Sequence, residues 1–187
     1  PGFGGKTQTT DDEESTKGLK AGSLILIDEG GFEVSSKEDS FHSNGDIEIN
    51  GGSFTAAAGE DGFHADNNLI INGGSITVSQ SYEGLEGQKV TVTGGNIDIT
   101  ASDDGINAAS PSSSGSSAGG RPGNSDSNSL ITISGGYILV NASGDGIDSN
   151  GNVAITGGTV LVSGPTDNGN GAFDYDGEAT VSGGTVI

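Results

Sequence analysis

Cysteine, methionine and tryptophan are absent from this 187-residue chain. No disulfide can staple it and no thiolate can hold a metal. Basic residues are scarce as well: six Lys and Arg stand against 26 Asp and Glu, a net charge of −20. Nucleic acid and anionic membrane surfaces would be repelled, so neither is a partner. No apolar run approaches membrane-spanning length, which argues against direct membrane insertion. Hydrophobic residues make up only 30% of the chain, and on charge and hydropathy alone it would be classed as disordered. The 36 glycines overrule that class through their spacing.

A Gly-Gly pair recurs from Gly30, Gly51, Gly73, Gly94, Gly135, Gly157 and Gly183, at intervals of 21, 22, 21, 41, 22 and 26 residues. The long interval contains residues 110–129, composed largely of Ser, Gly, Pro and Asn, and removing those 20 residues restores 21. They form an insertion in an otherwise regular repeat. Apolar positions align within each repeat. Ile47 and Ile49, Leu69 and Ile71, or Val90 and Val92 precede the glycines, and Phe54 and Ala56, Ile76 and Val78, or Ile97 and Ile99 follow them. A fifth apolar position recurs at Phe41, Phe63, Leu85, Ile106, Ile147 and Phe173. Alternation with period two means short strands with one buried face.

Three short strands in a repeat of 21 or 22 residues predict one coil of a parallel β-helix. The fold class is therefore all-β, a right-handed parallel β-helix of about seven rungs, with handedness from the rule for parallel crossovers. Equivalent residues stack at about 4.8 Å, and the five apolar positions become continuous internal ladders. A β-sandwich has no reason for so strict a period. The calcium-binding nonapeptide roll has the wrong one. Residues 1–17 read as a flexible lead-in, 18–187 as the β-helix. The start at Pro1 fits removal of a leader segment, and the stop at Ile187 in mid-pattern predicts a short or capped last rung.

Stacking also aligns the acids. A carboxylate opens most rungs at Asp39, Asp61, Glu83, Asp104 and Asp145, preceded by a second at Glu38, Glu60 and Asp103. Three residues on come His42, His64, Glu86, Asn107, Asp148 and Asp174. Like charges stacked on neighbouring strands destabilise a sheet unless something compensates them. Calcium binds oxygen at about 2.3–2.6 Å, so opposite ligands lie about 5 Å apart, close to one rung spacing. The leading candidate site joins Asp103, Asp104 and Asn107 with Asp145 and Asp148. A second joins Glu60, Asp61 and Asp66 with Glu83 and Glu86, and a third Glu38 and Asp39 with Glu60 and Asp61. Two or more calcium ions are expected. The competing reading makes each acid a solvated turn residue. His42 and His64 share a column, which raises a transition metal as an alternative to plain polar surface.

The unit at residues 145–160, beginning Asp145-Gly-Ile-Asp-Ser-Asn-Gly, resembles the calcium-binding parallel β-helix domain of bacterial cell-surface carbohydrate-binding proteins. That family is related in fold to pectate lyases and is associated with cellulose and polygalacturonate binding. The resemblance spans roughly residues 18–187 apart from the insertion. Asp103-Asp104-Gly-Ile-Asn107 is close to a calcium-binding Asp-Asp-x-x-Asp group of some such lyases, with Asn at the last place. It implies non-catalytic, calcium-dependent binding of plant cell-wall polysaccharide by an extracellular protein on a bacterial surface. Tyr82, Tyr137 and Lys89 are the expected sugar contacts. Two alternatives stand beside this: a calcium-dependent lyase with Lys89 or Lys37 as base, and a calcium-stiffened adhesin stalk.

Overall fold

The computed structural model describes residues 15–111, 128–165 and 168–187. Most of the expected lead-in and of the expected insertion thus lies outside the described residues. Among the described residues every regular element is a strand, and every pairing is parallel. The strands fall into three columns that the chain visits in turn seven times.

The first column holds Leu19–Ala21, Phe41–Ser43, Ile106–Ala108, Ile147–Ser149 and Phe173–Tyr175. The second holds Leu24–Ile27, Asp46–Ile49, Leu130–Ile133, Asn152–Ile155 and Ala179–Val181. Phe63–Ile71 and Leu85–Val92 run through both columns without a break. The third holds Gly31–Ser35, Ser53–Ala57, Ser75–Gln80, Asn96–Ala101, Tyr137–Ala142, Thr159–Ser163 and Thr185–Val186. The expected β-solenoid of about seven turns is the observed fold.

Register explains how few apolar residues suffice. Ile27 pairs with Ile49, which also pairs with Ile71, and so through Val92, Ile133 and Ile155 to Val181. Phe41, Phe63, Leu85, Ile106 and Ile147 form a second fully buried ladder. Within it the Phe41 and Phe63 rings stack at 4.5 Å, and Phe54 meets both edge-on at 5.7 and 5.9 Å. Such pairs add about 0.5–1.5 kcal/mol each beyond area burial. Each side chain is covered by its own equivalents one turn away, so the core is a shaft that does not widen as the chain lengthens.

The paired glycines are required for two different reasons. A Cβ on Gly73 would lie 2.7 Å from the carbonyl oxygen of Asn50 on the preceding turn, whereas Gly74 has φ +92°, where an L side chain is strained. Register corrects one detail of the repeat. Because Ile27 faces Ile49, Gly30 aligns with Gly52, the second glycine of its pair, and Glu29 takes the first place. The first interval is therefore 22 residues, as the Asn50–Asp28 contact between equivalent positions also shows.

The insertion leaves between the first and second columns. Ile106–Ala108 pairs on both sides, and Leu130 resumes opposite Lys89 and Asn152, so the turn closes in full register.

Candidate functional site: an acidic ladder with three environments

Extrapolating the strand register places Lys17, Asp39, Asp61, Glu83, Asp104 and Asp145 in one row along the corner that enters the first column. The second row holds Lys20, His42, His64, Glu86, Asn107, Asp148 and Asp174. The chain is tightly packed here: a Cβ on Gly84 would meet the carbonyl of Gly105 at 2.4 Å. The first-row carboxylates help to build the corner. Asp39 Oδ1 accepts the Asp61 amide at 3.1 Å, Asp61 Oδ1 that of Glu83 at 3.2 Å, and Asp104 Oδ1 that of Asp145 at 2.6 Å. Asp145 Oδ1 likewise accepts the amide of Gly171. In these residues one oxygen serves the fold, a role that the aligned acids alone did not reveal.

The N-terminal end of the ladder carries its own cation. The Lys17 ammonium bonds Asp39 and lies 3.6 Å from Glu38 and 3.9 Å from Glu60. It stands among the residues of the third expected calcium group. Burial opposes the charge on Asp39, yet bonds from His42 (2.8 Å), Lys17 and the Asp61 amide hold its carboxyl far below the usual range. Burial likewise opposes the charge on Lys17, and the bond to Asp39 with the nearby carboxylates raises it nonetheless. Its position, 22 residues before Asp39, was the sequence signal for this role.

In the middle, His64 is the cation. Its Nδ1 meets Asp61 Oδ2 at 3.0 Å and also Glu86, and its Nε2 lies 3.3 Å from Asp66. Burial disfavours the imidazolium, but the bonds to Asp61 and Glu86 push it up to about 11. Burial and the Glu86 carboxylate raise Asp61 to about 7, while His64 keeps Glu86 low. Of the second expected group, Asp61, Asp66 and Glu86 gather on His64, Glu60 faces Lys17, and Glu83 belongs to the next cluster. The His42 and His64 rings stack at 4.9 Å.

Beyond Glu83 and Glu86 neither row contains a basic residue. Single ligand atoms of Glu83, Asp103 and Asp104 lie within 4.8 Å of one another, and so do those of Asp104, Asp145 and Asp148. Burial, then neighbouring carboxylates, raises Glu83 to about 9 and both Asp104 and Asp148 to about 7. Asn107, only 7% exposed, donates Nδ2 to Glu83 Oε2 at 2.9 Å. Its Oδ1 is buried without a partner. The amide geometry turns that oxygen away from Glu83, and Asp148 is the row neighbour on the following turn.

The expected sugar contacts lie on different faces. Tyr82 is 50% exposed at the acidic corner, and its hydroxyl bonds Asp103, which pushes it up to about 12. Tyr137 is 46% exposed at the start of the third column, between Asn96 and Thr159. Lys89 points outward from the second column, between Asn68 and Leu130. Lys37 is exposed beside Glu38, three turns from Asp104 and thus about 14 Å away along the axis. The ammonium that does touch the ladder, Lys17, is held protonated and is a poor base.

Neither the curated proteins nor the solved structures yield a match to this chain. The family model described as carbohydrate-binding domain-containing protein matches residues 2–62 and 57–105, together more than half of the sequence. With a polar, ladder-bearing solenoid built on that sequence, the chain belongs to the carbohydrate-binding domain-containing protein family.

Proposed function

We propose that this protein is a non-catalytic, calcium-dependent binder of plant cell-wall polysaccharide, with polygalacturonate as its principal ligand, displayed outside a bacterial cell. The observation that carries the reading is the orphaned Asn107 Oδ1, in register with Asp148, whose carboxylate gathers with those of Asp104 and Asp145. A buried acceptor without a donor costs about 1–3 kcal/mol, and a cation relieves it together with the raised carboxylates. Asp104, Asn107, Asp145 and Asp148 would hold the ion, with Asp103 at the rim. All are oxygen donors, and a turn-built site suits calcium's variable coordination better than the strict octahedron of magnesium. Calcium there supplies local charge inversion, so that a polyanion can approach a protein of charge −20. Tyr82, hydrogen-bonded to Asp103 at the rim, offers an exposed ring beside the bound uronate. Extracellular modules work with weak calcium sites in millimolar calcium, which fits the cell-surface setting.

The test is a calcium titration of metal-stripped protein, following thermal unfolding with and without polygalacturonate. A calcium-dependent rise in melting temperature, extended by the polymer, is expected. No response to calcium refutes the metal reading. A calcium response without a polymer response removes polygalacturonate and favours the stiffened stalk.

A further inference from the structure

The corner between the second and third columns is chemically unlike the acidic one. The residue just before the glycine pair, or before Glu29-Gly30 on the first turn, is exposed on every turn: Asp28, then Asn50, Asn72, Thr93, Ser134, Thr156 and Ser182. From Asn50 onward all are neutral, in a chain of net charge −20. The first four are strung together by three hydrogen bonds. Asn50 Nδ2 donates to Asp28 Oδ1 at 2.9 Å, Asn72 Nδ2 to Asn50 Oδ1 at 2.8 Å, and Thr93 Oγ1 to Asn72 Oδ1 at 2.9 Å. Asn72 Nδ2 also reaches Glu48 Oε1 at 3.4 Å. Across the glycines runs a second exposed neutral row, Ser53, Ser75, Asn96 and Tyr137, in register turn by turn.

We infer that this ridge binds an uncharged, extended polysaccharide chain lying along the helix axis, independently of calcium. Three features select that ligand. An amide both donates and accepts, as vicinal sugar hydroxyls do, and Asn50 keeps an N–H that the ladder does not use. The ladder already fixes the amide orientations, so little side-chain freedom is lost on binding. The groups repeat at about 4.8 Å over roughly 19 Å from Asn50 to Thr156, a periodicity suited to a polymer rather than a single sugar. Tyr137 adds an exposed ring on which the C–H face of a pyranose can lie, while its hydroxyl stays in water. A polyanion gains nothing here, because the ridge offers no cation and Glu48 and Asp98 border it. The inference rests on the carbohydrate-binding reading but not on its calcium arm.

Affinity electrophoresis in gels containing hydroxyethyl cellulose or polygalacturonate separates the two. The wild-type protein is expected to be retarded by hydroxyethyl cellulose equally in calcium and in chelator. Asn72→Ala with Tyr137→Ala is expected to weaken that retardation at least tenfold, with calcium-dependent retardation by polygalacturonate unchanged. Ser75→Glu, which sets a charge on the facing row without touching the ladder, should do the same. It keeps the test open if the double variant fails to fold. Hydroxyethyl cellulose retardation that is absent, that needs calcium, or that survives both variants overturns the inference, whatever the uronate result. Loss of polygalacturonate retardation alone counts only against the calcium reading. Self-association of the protein without polymer, abolished by Ser75→Glu, would assign the ridge to a second copy of the chain and likewise overturn the inference.

Discussion

Replacing Asp148 by Asn should stabilise the metal-stripped protein and destabilise the calcium-loaded one. Asp148 is held near 7 by burial and then by Asp104, Asp145, Asp174 and Asp176, against an ordinary value of 3.8. Three units correspond to about 4 kcal/mol, and allowing for the partial exposure of the group leaves about 2 kcal/mol. A folded-state pKa above the unfolded value means that the stabilising contribution is complete below about 4 and lost as pH rises through about 7. At pH 8 in chelator, Asp148→Asn should therefore raise the melting temperature by about 4–8 °C, given about 2–4 °C per kcal/mol at this size. At pH 4 the difference should nearly vanish. In saturating calcium the sign should invert, because an anionic ligand has been removed. Differential scanning calorimetry at the two pH values, with chelator and with calcium, reads all of this. A variant less stable than wild type in chelator at pH 8 would show that the carboxylate is a structural acceptor and that the repulsion argument is wrong. An identical calcium response in both proteins would place the ion elsewhere.

His64 sits between Asp61 and Glu86 with a pKa near 11, so its contribution is fully present below its unfolded value near 6.5 and is lost only toward pH 11. Its imidazole Cε1 proton should show no titration between pH 6 and 9 by NMR, and His64→Gln should cost about 3–5 kcal/mol in urea unfolding at pH 7. Gly74→Ala forces a side chain to φ +92° with its Cβ 2.9 Å from the Gly52 carbonyl. It should cost about 1–3 kcal/mol, again by urea midpoint. Phe63→Ala removes the ring stacked on Phe41 and should cost about 3–5 kcal/mol; a loss below 1 kcal/mol would mean that the shaft collapses around the gap.

Fold and ladder were legible in the sequence to different depths. Period-two alternation repeated every 21 or 22 residues leaves almost no freedom in the path, and a known path puts Asp39, Asp61, Glu83 and Asp104 in one row. Where Glu29 replaces a glycine, the repeat had to be set by its strands instead. What the row does at each turn was less legible, because it depends on how side chains aim across neighbouring turns. Nothing local to Asp61 announces that one oxygen takes the Glu83 amide while the other meets His64. Lys17 lies before the first recognisable repeat, so only its 22-residue offset from Asp39 hinted at its ammonium among three acids. Tyr137 follows a glycine pair and faces outward accordingly, but its separation from Tyr82 onto another corner followed only from the assembled turns.

The junction between Ala108 and Leu130 makes the molecule a chassis for foreign sequence. Strands on both sides of it keep their partners, so the turn is closed by its neighbours and not by the peptide that joins its ends. Loop-closure entropy grows only logarithmically, about 0.6 kcal/mol for each doubling of length. Peptides of quite different length and chemistry could be spliced there at little thermodynamic cost. Selection can then vary the graft, and whatever it recognises, while the solenoid beneath stays constant.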